Sequence, residues 1–286
     1  MTETQVPTIT LNDGREIPQL GFGVFQVPPE DTREATATAL QTGYRHIDTA
    51  EMYGNEREVG EAITDAGLAR DEIWVTSKLN NGYHRPDDAR RAFEDSLTKL
   101  GLDQIDLFLI HWPLPTRYDG DYVSTWKALE GFHADGRARS IGVSNFQVPH
   151  LQRLAAECDV APAVNQIELH PYFLNAEVES YARGQGIAVE AWSPIAQGGV
   201  LDDETITGIA ERVARTPAQV VLRWHIQRDL IVFPKSVTES RVRENFALFD
   251  FALDEADIAA ISRLDRGESG RTGPNPDTFD MIPDEG

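Results

Sequence analysis

The sequence predicts an α/β fold, a (β/α)8 TIM barrel that takes up residues 1–286 as a single domain. Three observations predict it. Eight short apolar segments have the character of buried strands, segments with helical periodicity separate them, and several apolar segments stop abruptly at a polar residue. In a chain of 286 residues, eight such units most simply close into one parallel barrel, with the active site in the loops that follow the strands.

The predicted strands are runs of apolar residues without polar alternation, which suits strands buried on both faces. They lie at residues 20–25, 46–48, 73–78, 105–111, 140–143, 163–167, 187–192 and 230–233. The predicted helices between them lie at residues 30–42, 56–66, 86–100, 122–134, 148–156, 176–184 and 217–228. The helix at 86–100 has a typical beginning, because Pro86 suits the first helical position and two aspartates follow it.

Both ends of the chain extend beyond the eight units. Within residues 1–18, Asn12, Asp13 and Gly14 form a strong turn signal between two strand-like segments. We expect this hairpin to plug the bottom of the barrel. The tail at 266–286 is rich in glycine, proline and aspartate and has no periodic pattern. Such a tail is either disordered or folded across the barrel mouth, and we expect it over the mouth.

The composition is that of a soluble globular protein with one unusual property, its charge. Hydrophobic residues make up 41% of the chain, but the formal net charge is −21. Nucleic acid and anionic membranes are therefore not expected as partners, because phosphate binding needs a basic face. Two interpretations of the charge stay open: a salt-adapted or high-GC source, in which salt screens the self-repulsion, and an ordinary acidic cytosolic protein.

Several kinds of site and segment are not expected. Cys158 is the only cysteine, so the sequence has no disulfide framework and no CxxC motif for metal or redox chemistry. The first five residues lack the basic and apolar regions of a leader, and no apolar run approaches membrane-spanning length. We therefore expect a cytoplasmic protein and, since no coiled-coil pattern or obvious apolar patch is present, a monomer.

Four polar residues fall at or just past the ends of predicted strands: Asp48, Tyr53, Lys78 and His111. A lone phenol is a weak acid near neutral pH, and an ammonium such as Lys78 lowers the pKa of a tyrosine by favouring phenolate. Asp48 can keep Lys78 ionised and oriented, while His111 can donate to a carbonyl oxygen. Together they form a proton-donating site without a reductant, so an external hydride source is implied, and nicotinamide is the usual one.

Each residue also has an ordinary structural interpretation. Asp48 could cap a helix, Tyr53 could be a turn aromatic beside Gly54, and His111 could be a core histidine before Trp112. Four complementary residue types on successive strand ends favour the functional interpretation, that of a carbonyl reductase.

Motifs along nearly the whole chain resemble the aldo-keto reductases. The signature is GYRHIDTA at 43–50 followed by YGNE at 53–56. Further matches in order are LGFG at 20–23, TSK at 76–78, LIHWP at 109–113, IGVSNF at 141–146, NQ at 165–166 and PKSV at 234–237. Within the family, residues 23–29 and 163–171 look most like the prokaryotic 2,5-diketo-D-gluconic acid reductases.

The resemblance implies an NADPH-dependent reduction of an aldehyde or ketone to the alcohol. In it Tyr53 is the proton donor, Lys78 lowers the pKa of that phenol, Asp48 supports Lys78, and His111 positions the substrate carbonyl. These roles agree with those argued from the residues themselves.

The resemblance also implies a cofactor site. The nicotinamide carboxamide would be held by Ser144, Asn145 and Gln166, with Trp192 stacked on the ring where many relatives use tyrosine. The diphosphate would lie along Ser193, Pro194, Ile195, Ala196 and Gln197; the 2′-phosphate on Lys235, Ser236 and Arg241; and the adenine near Glu244 and Asn245. The remaining expected cofactor contacts are Gly23, Val24, Asp48, Val237 and Thr238. Two cations in so acidic a protein favour NADPH over NADH.

The expected substrate contacts are Phe25, Asn80, His111 and Trp112. Phe25 and Trp112 supply apolar walls, whereas Asn80 stands where many relatives carry tryptophan. Asn81 and the tail near Arg271 add polarity. This pattern favours a sugar-derived ketone or small dicarbonyl over an extended aromatic aldehyde, although pocket loops vary readily.

Two other classes of protein stay open. A metal-dependent barrel hydrolase would use His46, His111 and His170, but no HxH or HExxH spacing occurs and Lys78 would repel a cation. A regulatory protein that binds NADPH with little turnover would keep the cofactor site, and the intact set of four polar residues argues against it.

Overall fold

The computed structural model describes residues 6–283. Residues 1–5 lie outside the described residues. The expectation about a leader was based on them, and they are also the first part of the predicted hairpin segment 1–18. Residues 284–286, at the end of the predicted tail, lie outside the described residues as well. Among the described residues, no helix is both long and apolar enough to cross a membrane.

Eight parallel strands form the barrel, each hydrogen-bonded to the next along the chain. They are β3 (Phe22–Gly23), β4 (His46–Asp48), β5 (Trp74–Leu79), β6 (Ile105–Ile110), β7 (Ala138–Ser144), β8 (Val164–Glu168), β9 (Ala188–Trp192) and β10 (Ile231–Val232). A parallel bridge between Leu20 and Val232 brings the first strand to the last. Its hydrogen bonds run from Gly21 N to Val232 O at 2.7 Å and from Val232 N to Gln19 O at 3.0 Å. The predicted (β/α)8 barrel is confirmed.

Ten α-helices occur within residues 6–283. They are α1 (Pro29–Thr42), α2 (Glu56–Asp65), α3 (Pro86–Leu100), α4 (Tyr122–Ala134), α5 (Val148–Glu157), α6 (Ala176–Gly184), α7 (Glu204–Val213), α8 (Pro217–Gln227), α9 (Glu239–Phe246) and α10 (Glu255–Ser262). The seven predicted helices coincide with α1 to α6 and α8 within one or two residues, whereas α7, α9 and α10 were not predicted. Most of the core lies between the strands and these helices.

The predicted hairpin closes the bottom of the barrel. Its strands are β1 (Thr8–Thr10) and β2 (Glu16–Pro18), paired antiparallel with Ile9 opposite Ile17. Gly14 in the turn has a φ of 83°, a conformation that favours glycine. Ile17 is fully buried in a separate apolar cluster with Trp74, at the amino-terminal end of β5. The hairpin therefore seals the end of the barrel opposite the strand carboxyl ends.

The tail crosses the barrel mouth as far as it is described. The ring of Phe279 packs against Trp112 with centroids 4.2 Å apart. Asn81 Nδ2 donates to the backbone oxygen of Met281 at 2.9 Å, and Arg117 Nε donates to that of Asp280 at 3.1 Å. The predicted course of the tail over the mouth is thus confirmed for residues up to 283.

Candidate active site

The barrel gathers the four predicted catalytic side chains at one mouth. Asp48 ends β4, Lys78 is the penultimate residue of β5, and His111 directly follows β6. Tyr53 ends a short 3₁₀-helix, Glu51–Tyr53, in the loop after β4. These residues meet because parallel strands present their carboxyl ends at the same end of the barrel.

Lys78 is fully buried and forms the centre of the group. Its ammonium donates to both carboxylate oxygens of Asp48, at 2.7 and 2.9 Å, and to the backbone oxygen of Thr49 at 2.9 Å. The Tyr53 hydroxyl lies 3.4 Å from the same nitrogen. Burial alone would lower the pKa of Lys78, but the charge and hydrogen bonds of Asp48, together with the nearby Tyr53 and Glu190, outweigh it and hold that pKa above its ordinary value. Lys78 is therefore a cation at neutral pH.

Two opposing effects act on the pKa of Tyr53. Burial raises the pKa of the Tyr53 phenol above its ordinary value of 10, and the Lys78 ammonium only partly offsets this. Lys78 thus has the lowering effect that was expected, whereas the sequence contains no measure of how deeply the phenol is buried. At neutral pH the phenol consequently keeps its proton and can donate it.

His111 is a neutral imidazole facing Tyr53. Burial, followed by the nearby Lys78 charge, lowers the pKa of His111 well below its ordinary value. The two rings meet edge to face with centroids 5.7 Å apart. The backbone oxygen of His111 accepts a hydrogen bond from Asn145 Nδ2 at 3.0 Å. The imidazole can therefore donate a single N–H to a carbonyl oxygen without bringing a second positive charge.

The residues expected around the nicotinamide form one network with this group. Trp192 Nε1 donates to Asn145 Oδ1 at 2.9 Å, and Asn145 Nδ2 donates to Ser144 Oγ at 3.1 Å. Ser144 Oγ donates to the backbone oxygen of Gln166 at 3.0 Å. Gln166 Nε2 in turn donates to Asp48 at 2.9 Å. The sequence-predicted cofactor and catalytic residues are thus brought together here.

The segment expected to hold the diphosphate has an unusual backbone. Ser193, Ala196 and Gln197 have positive φ values of 49°, 47° and 55°. Pro194 and Ile195 lie between them in the loop that follows β9. Left-handed conformations are uncommon for residues other than glycine, and they concentrate at functional sites.

The two cations expected at the 2′-phosphate lie in the loop after β10 and at the start of α9. Lys235 and Arg241 are both exposed, and neither side chain has an ion pair or hydrogen bond with any other residue from 6 to 283. Ser236 is buried, and its Oγ accepts from the Thr238 backbone N–H at 3.0 Å. The neighbouring Val237 is exposed.

The other expected cofactor contacts are spread around the same edge. Gly23 N donates to the backbone oxygen of Pro234 at 3.3 Å, and Val24 N donates to that of Asp48 at 3.1 Å. On α9, a Glu244 carboxylate oxygen accepts from the Thr216 hydroxyl at 2.9 Å, and Asn245 follows it half-buried.

The residues expected to contact the substrate differ in exposure and in their partners. Phe25 is 55% exposed and its ring lies 5.0 Å from that of Tyr53. Trp112 is buried under the tail through its contact with Phe279. Both polar atoms of the Asn80 side-chain amide are hydrogen-bonded, because Nδ2 donates to Glu51 and Oδ1 accepts from Gly82 N.

Arg271 also has its own partners. Its guanidinium pairs with Glu268 at 2.9 Å and lies over the ring of Phe173. The polar groups of Asn80 and Arg271 are therefore held by the protein itself.

Sequence reasoning missed two buried carboxylates beside the site. Glu190 in β9 accepts from Gln166 Nε2 at 2.7 Å, and burial together with the Asp48 charge raises the pKa of Glu190 to about 8. A charged residue inside an apolar strand was the available signal. Glu168 at the end of β8 binds the tail, and no local pattern indicated that contact.

The three histidines considered for a metal site do not gather. His46 Nδ1 and Nε2 contact the Pro18 backbone oxygen at 3.3 Å and Thr76 Oγ1 at 3.1 Å, whereas His170 Nε2 contacts Glu168 at 3.0 Å. Within residues 6–283, no three His, Cys, Asp or Glu side chains are grouped so that they could hold a metal ion.

Comparison with known proteins agrees with this geometry. The chain matches the Aldo/keto reductase family over residues 19–266. It is 51% identical over 275 residues to an aldo-keto reductase of Mycolicibacterium smegmatis, covering 96% of this chain and 98% of that protein. It is 50% identical over 279 residues to the methylglyoxal reductase DkgA of Yersinia pestis, with the same two coverages. A crystal structure of a Gox0644 mutant in complex with NADPH matches with a TM-score of 0.92 and 45% identity, covering 96% of this chain and 99% of that chain. The chain therefore belongs to the aldo/keto reductase family, which confirms the resemblance and the expected class of enzyme, an NAD(P)H-dependent oxidoreductase acting on C=O and CH–OH groups.

Proposed function

We propose that this protein reduces the carbonyl group of a small aldehyde or ketone to the alcohol, with NADPH as hydride source and Tyr53 as proton donor. The observation that carries the proposal is the chain of contacts from the Tyr53 hydroxyl through the Lys78 ammonium to the Asp48 carboxylate, with His111 beside the phenol. Relatives that are named as reductases, and a related structure in complex with NADPH, support it.

NADPH fits the residues at the mouth. Lys235 and Arg241 are exposed cations without partners among the described residues, in a protein with a net charge of −21. A 2′-phosphate would supply the missing negative charge. The left-handed backbone conformations of Ser193, Ala196 and Gln197 support a binding role for the loop after β9. When bound, NADPH supplies the hydride, which no side chain of the protein can provide.

The side chains would divide the remaining work among them. His111 donates its N–H to the carbonyl oxygen and fixes its position. Tyr53 then transfers its phenolic proton to that oxygen as negative charge develops on it. The phenolate left behind is stabilised by the Lys78 ammonium 3.4 Å away, and solvent later restores the proton. Asp48 keeps Lys78 charged and in place.

We propose a small dicarbonyl as the preferred class of substrate, with a sugar-derived ketone as the second. The ring of Phe25 packs beside Tyr53, and Trp112, next to His111, is covered by Phe279 of the tail; these apolar rings favour a compact substrate. The methylglyoxal reductase name of the Yersinia pestis relative supports the same class. The test is an assay of turnover with methylglyoxal, glyoxal, a keto sugar and an extended aromatic aldehyde. Turnover of each compound is measured by the loss of NADPH absorbance. Absence of turnover with every compound would overturn the proposal.

The preference for NADPH tests the cofactor assignment without a known substrate. Arg241→Ala is expected to weaken NADPH binding by about 1.5–3 kcal/mol, the range for a hydrogen bond to a charged group, and to leave NADH binding nearly unchanged. Quenching of tryptophan fluorescence during titration with each nucleotide measures both affinities. Arg243→Ala is the matched control, because Arg243 on the same helix already pairs with Glu239. An unchanged preference in Arg241→Ala would contradict this account.

We further infer a monomer that resides in the cytoplasm and binds neither nucleic acid nor metal. Among residues 6–283 the large exposed apolar side chains are few, and all lie in segments around the mouth: Phe25, Val237, Met281 and Ile282. The half-buried Cys158 forms no disulfide. Sedimentation analysis tests the oligomeric state, and a stable dimer would contradict it.

A further inference from the structure

Glu168 accepts four hydrogen bonds, and three of them hold the tail. One carboxylate oxygen, Oε1, accepts from the Thr272 backbone N–H at 2.6 Å, from the Thr272 hydroxyl at 2.7 Å and from His170 Nε2 at 3.0 Å. The other, Oε2, accepts from the Gly273 backbone N–H at 3.0 Å. Glu168 is only 1% exposed. Three of the four donors thus come from two consecutive residues of the tail.

These donors explain why a carboxylate is tolerated at this depth. Burial alone would raise the pKa of Glu168, but the bonds from His170, Thr272 and Gly273 together hold that pKa below its ordinary value. Glu168 is therefore an anion at neutral pH. Charge-assisted bonds of this kind are stronger than those between neutral groups.

Gly273 brings the tail directly onto the Trp192 indole. A Cβ atom at position 273 would lie 2.4 Å from Trp192 Cη2 and 3.1 Å from Glu168 Oε2, so a larger residue would displace the indole or the tail. The same indole donates from Nε1 to Asn145 at 2.9 Å. One edge of Trp192 is thus fixed by Asn145 and another by the tail.

We propose that Glu168 is a positioning residue of the reductase. By binding Thr272 and Gly273, which we call the clamp, it fixes the position of the tail, which forms one wall of the substrate site, and of the Trp192 indole, against which the tail packs. The inference rests on the proposed function and on the expected stacking of Trp192 on the nicotinamide. From the clamp the tail continues to Phe279, which covers Trp112. A single carboxylate at the end of β8 therefore fixes one wall of the cofactor site and one wall of the substrate site.

The tail has other attachments beyond the clamp. His150 Nε2 lies 3.6 Å from Asp277, and Arg117 and Asn81 bind the backbone of Asp280 and Met281. Loss of the clamp is therefore expected to loosen residues 271–276 without unfolding the barrel.

The test is Glu168→Gln, with two readouts on the full chain. Glutamine offers one acceptor oxygen and turns an NH2 group towards the tail donors, so the clamp is weakened. Tryptic cleavage after Arg271, followed by mass spectrometry, is expected to accelerate about tenfold because local opening becomes more frequent. The KM for the carbonyl substrate is expected to rise about tenfold or more, with a smaller change in kcat, because the pocket wall is displaced.

Matched variants separate the clamp from a general effect of losing a carboxylate. Thr272→Val removes only the hydroxyl bond and is expected to give a smaller change in both readouts. Glu157→Gln, on the exposed end of α5, is expected to change neither. Should Glu168→Gln fail to fold, Gly273→Ala tests the same contact by pushing the tail off Trp192, with the same two readouts and the tryptophan fluorescence.

The outcomes distinguish this inference from the proposed function. Faster cleavage together with a raised KM supports the positioning role. Faster cleavage with an unchanged KM overturns it and leaves Glu168 a structural tie, and unchanged cleavage overturns the clamp itself. A protein that reduces no carbonyl compound at all would refute the proposed function, while the cleavage experiment would still judge the clamp.

Discussion

Burial and charge act in opposite directions on the Tyr53 phenol. Burial raises its pKa and the Lys78 ammonium lowers it, and the net direction is upward. In this structure Lys78 therefore offsets the cost of placing a forming phenolate inside the barrel, and the phenol remains protonated until it reacts. The sequence indicates four complementary residue types at the strand ends, but it does not contain the balance between two opposing effects that depend on depth.

Glu190 gives a prediction about pH at the residue scale. The pKa of Glu190 is about 8 in the folded protein, against an ordinary value of 4.5. Between these values the folded protein holds a proton that the unfolded chain has released, so the free energy of unfolding falls as pH rises through this window. Glu190→Gln removes this titration. The melting temperature of the variant minus that of the parent is therefore expected to increase from pH 5 to pH 8.

The pairing with the parent protein makes this measurement specific, because the other titrating groups are common to both proteins. A difference that stays constant between pH 5 and pH 8 would contradict the assignment of a neutral Glu190.

Whether a site residue could be predicted from the sequence depends on whether its position in the barrel or a distant contact determines its role. Asp48, Lys78 and His111 end apolar strand segments, and the barrel topology alone requires such residues to meet. Glu168 could not be assigned, because its partners Thr272 and Gly273 are 104 and 105 residues away in a segment without periodicity. Asn80 was expected in the substrate pocket, and its bonds to Glu51 and Gly82 depend on loop geometry that no pattern encodes.

At the scale of the elements, apolar periodicity explains both successes and failures. α3 has a clear apolar face, with Phe93, Leu97 and Leu100 buried, and it was predicted. α9 buries only Val242 and is otherwise polar, so it has no apolar stripe to detect. α10 is rich in apolar residues, but they are spread around the helix and do not form one apolar face that a periodic pattern would show. Both are placed by packing around the barrel more than by their own sequences.

The packing of α2 against the end of α3 gives a prediction at this scale. A Cβ atom at Gly60 would lie 2.2 Å from the backbone oxygen of Leu100, and backbone atoms cannot move aside as a side chain can. Gly60→Ala is therefore expected to destabilise the protein by about 1–3 kcal/mol, the usual range for overpacking. Urea unfolding measures the change in the free energy of unfolding.

The control for Gly60 is another helical glycine with free space. Gly208 in α7 has no atom within 4 Å of an added Cβ. Gly208→Ala is expected to stabilise the protein by about 0.5–1 kcal/mol, because alanine loses less conformational entropy in a helix. If both alanine variants had the same stability, close helix approach at Gly60 would not be the cause.

At the scale of the whole molecule, the net charge of −21 is the outstanding property. Self-repulsion of so many carboxylates opposes the compact state, and salt screens it over a Debye length of about 10 Å at 0.1 M. We expect the melting midpoint to rise when salt is increased from low to high concentration. A midpoint indifferent to salt would contradict the interpretation as a salt-adapted protein and favour that of an ordinary acidic one.

The central claim is that the barrel mouth transfers a proton from Tyr53 to a carbonyl oxygen. The most direct measurement compares NADPH affinity and methylglyoxal turnover in the parent protein, in Tyr53→Phe and in the control Tyr181→Phe, whose phenol lies on α6 outside the barrel. The account predicts that Tyr53→Phe binds NADPH normally and loses about 10²–10⁴-fold in kcat, the range for a general acid, while Tyr181→Phe keeps both properties. Near-normal turnover in Tyr53→Phe would contradict it.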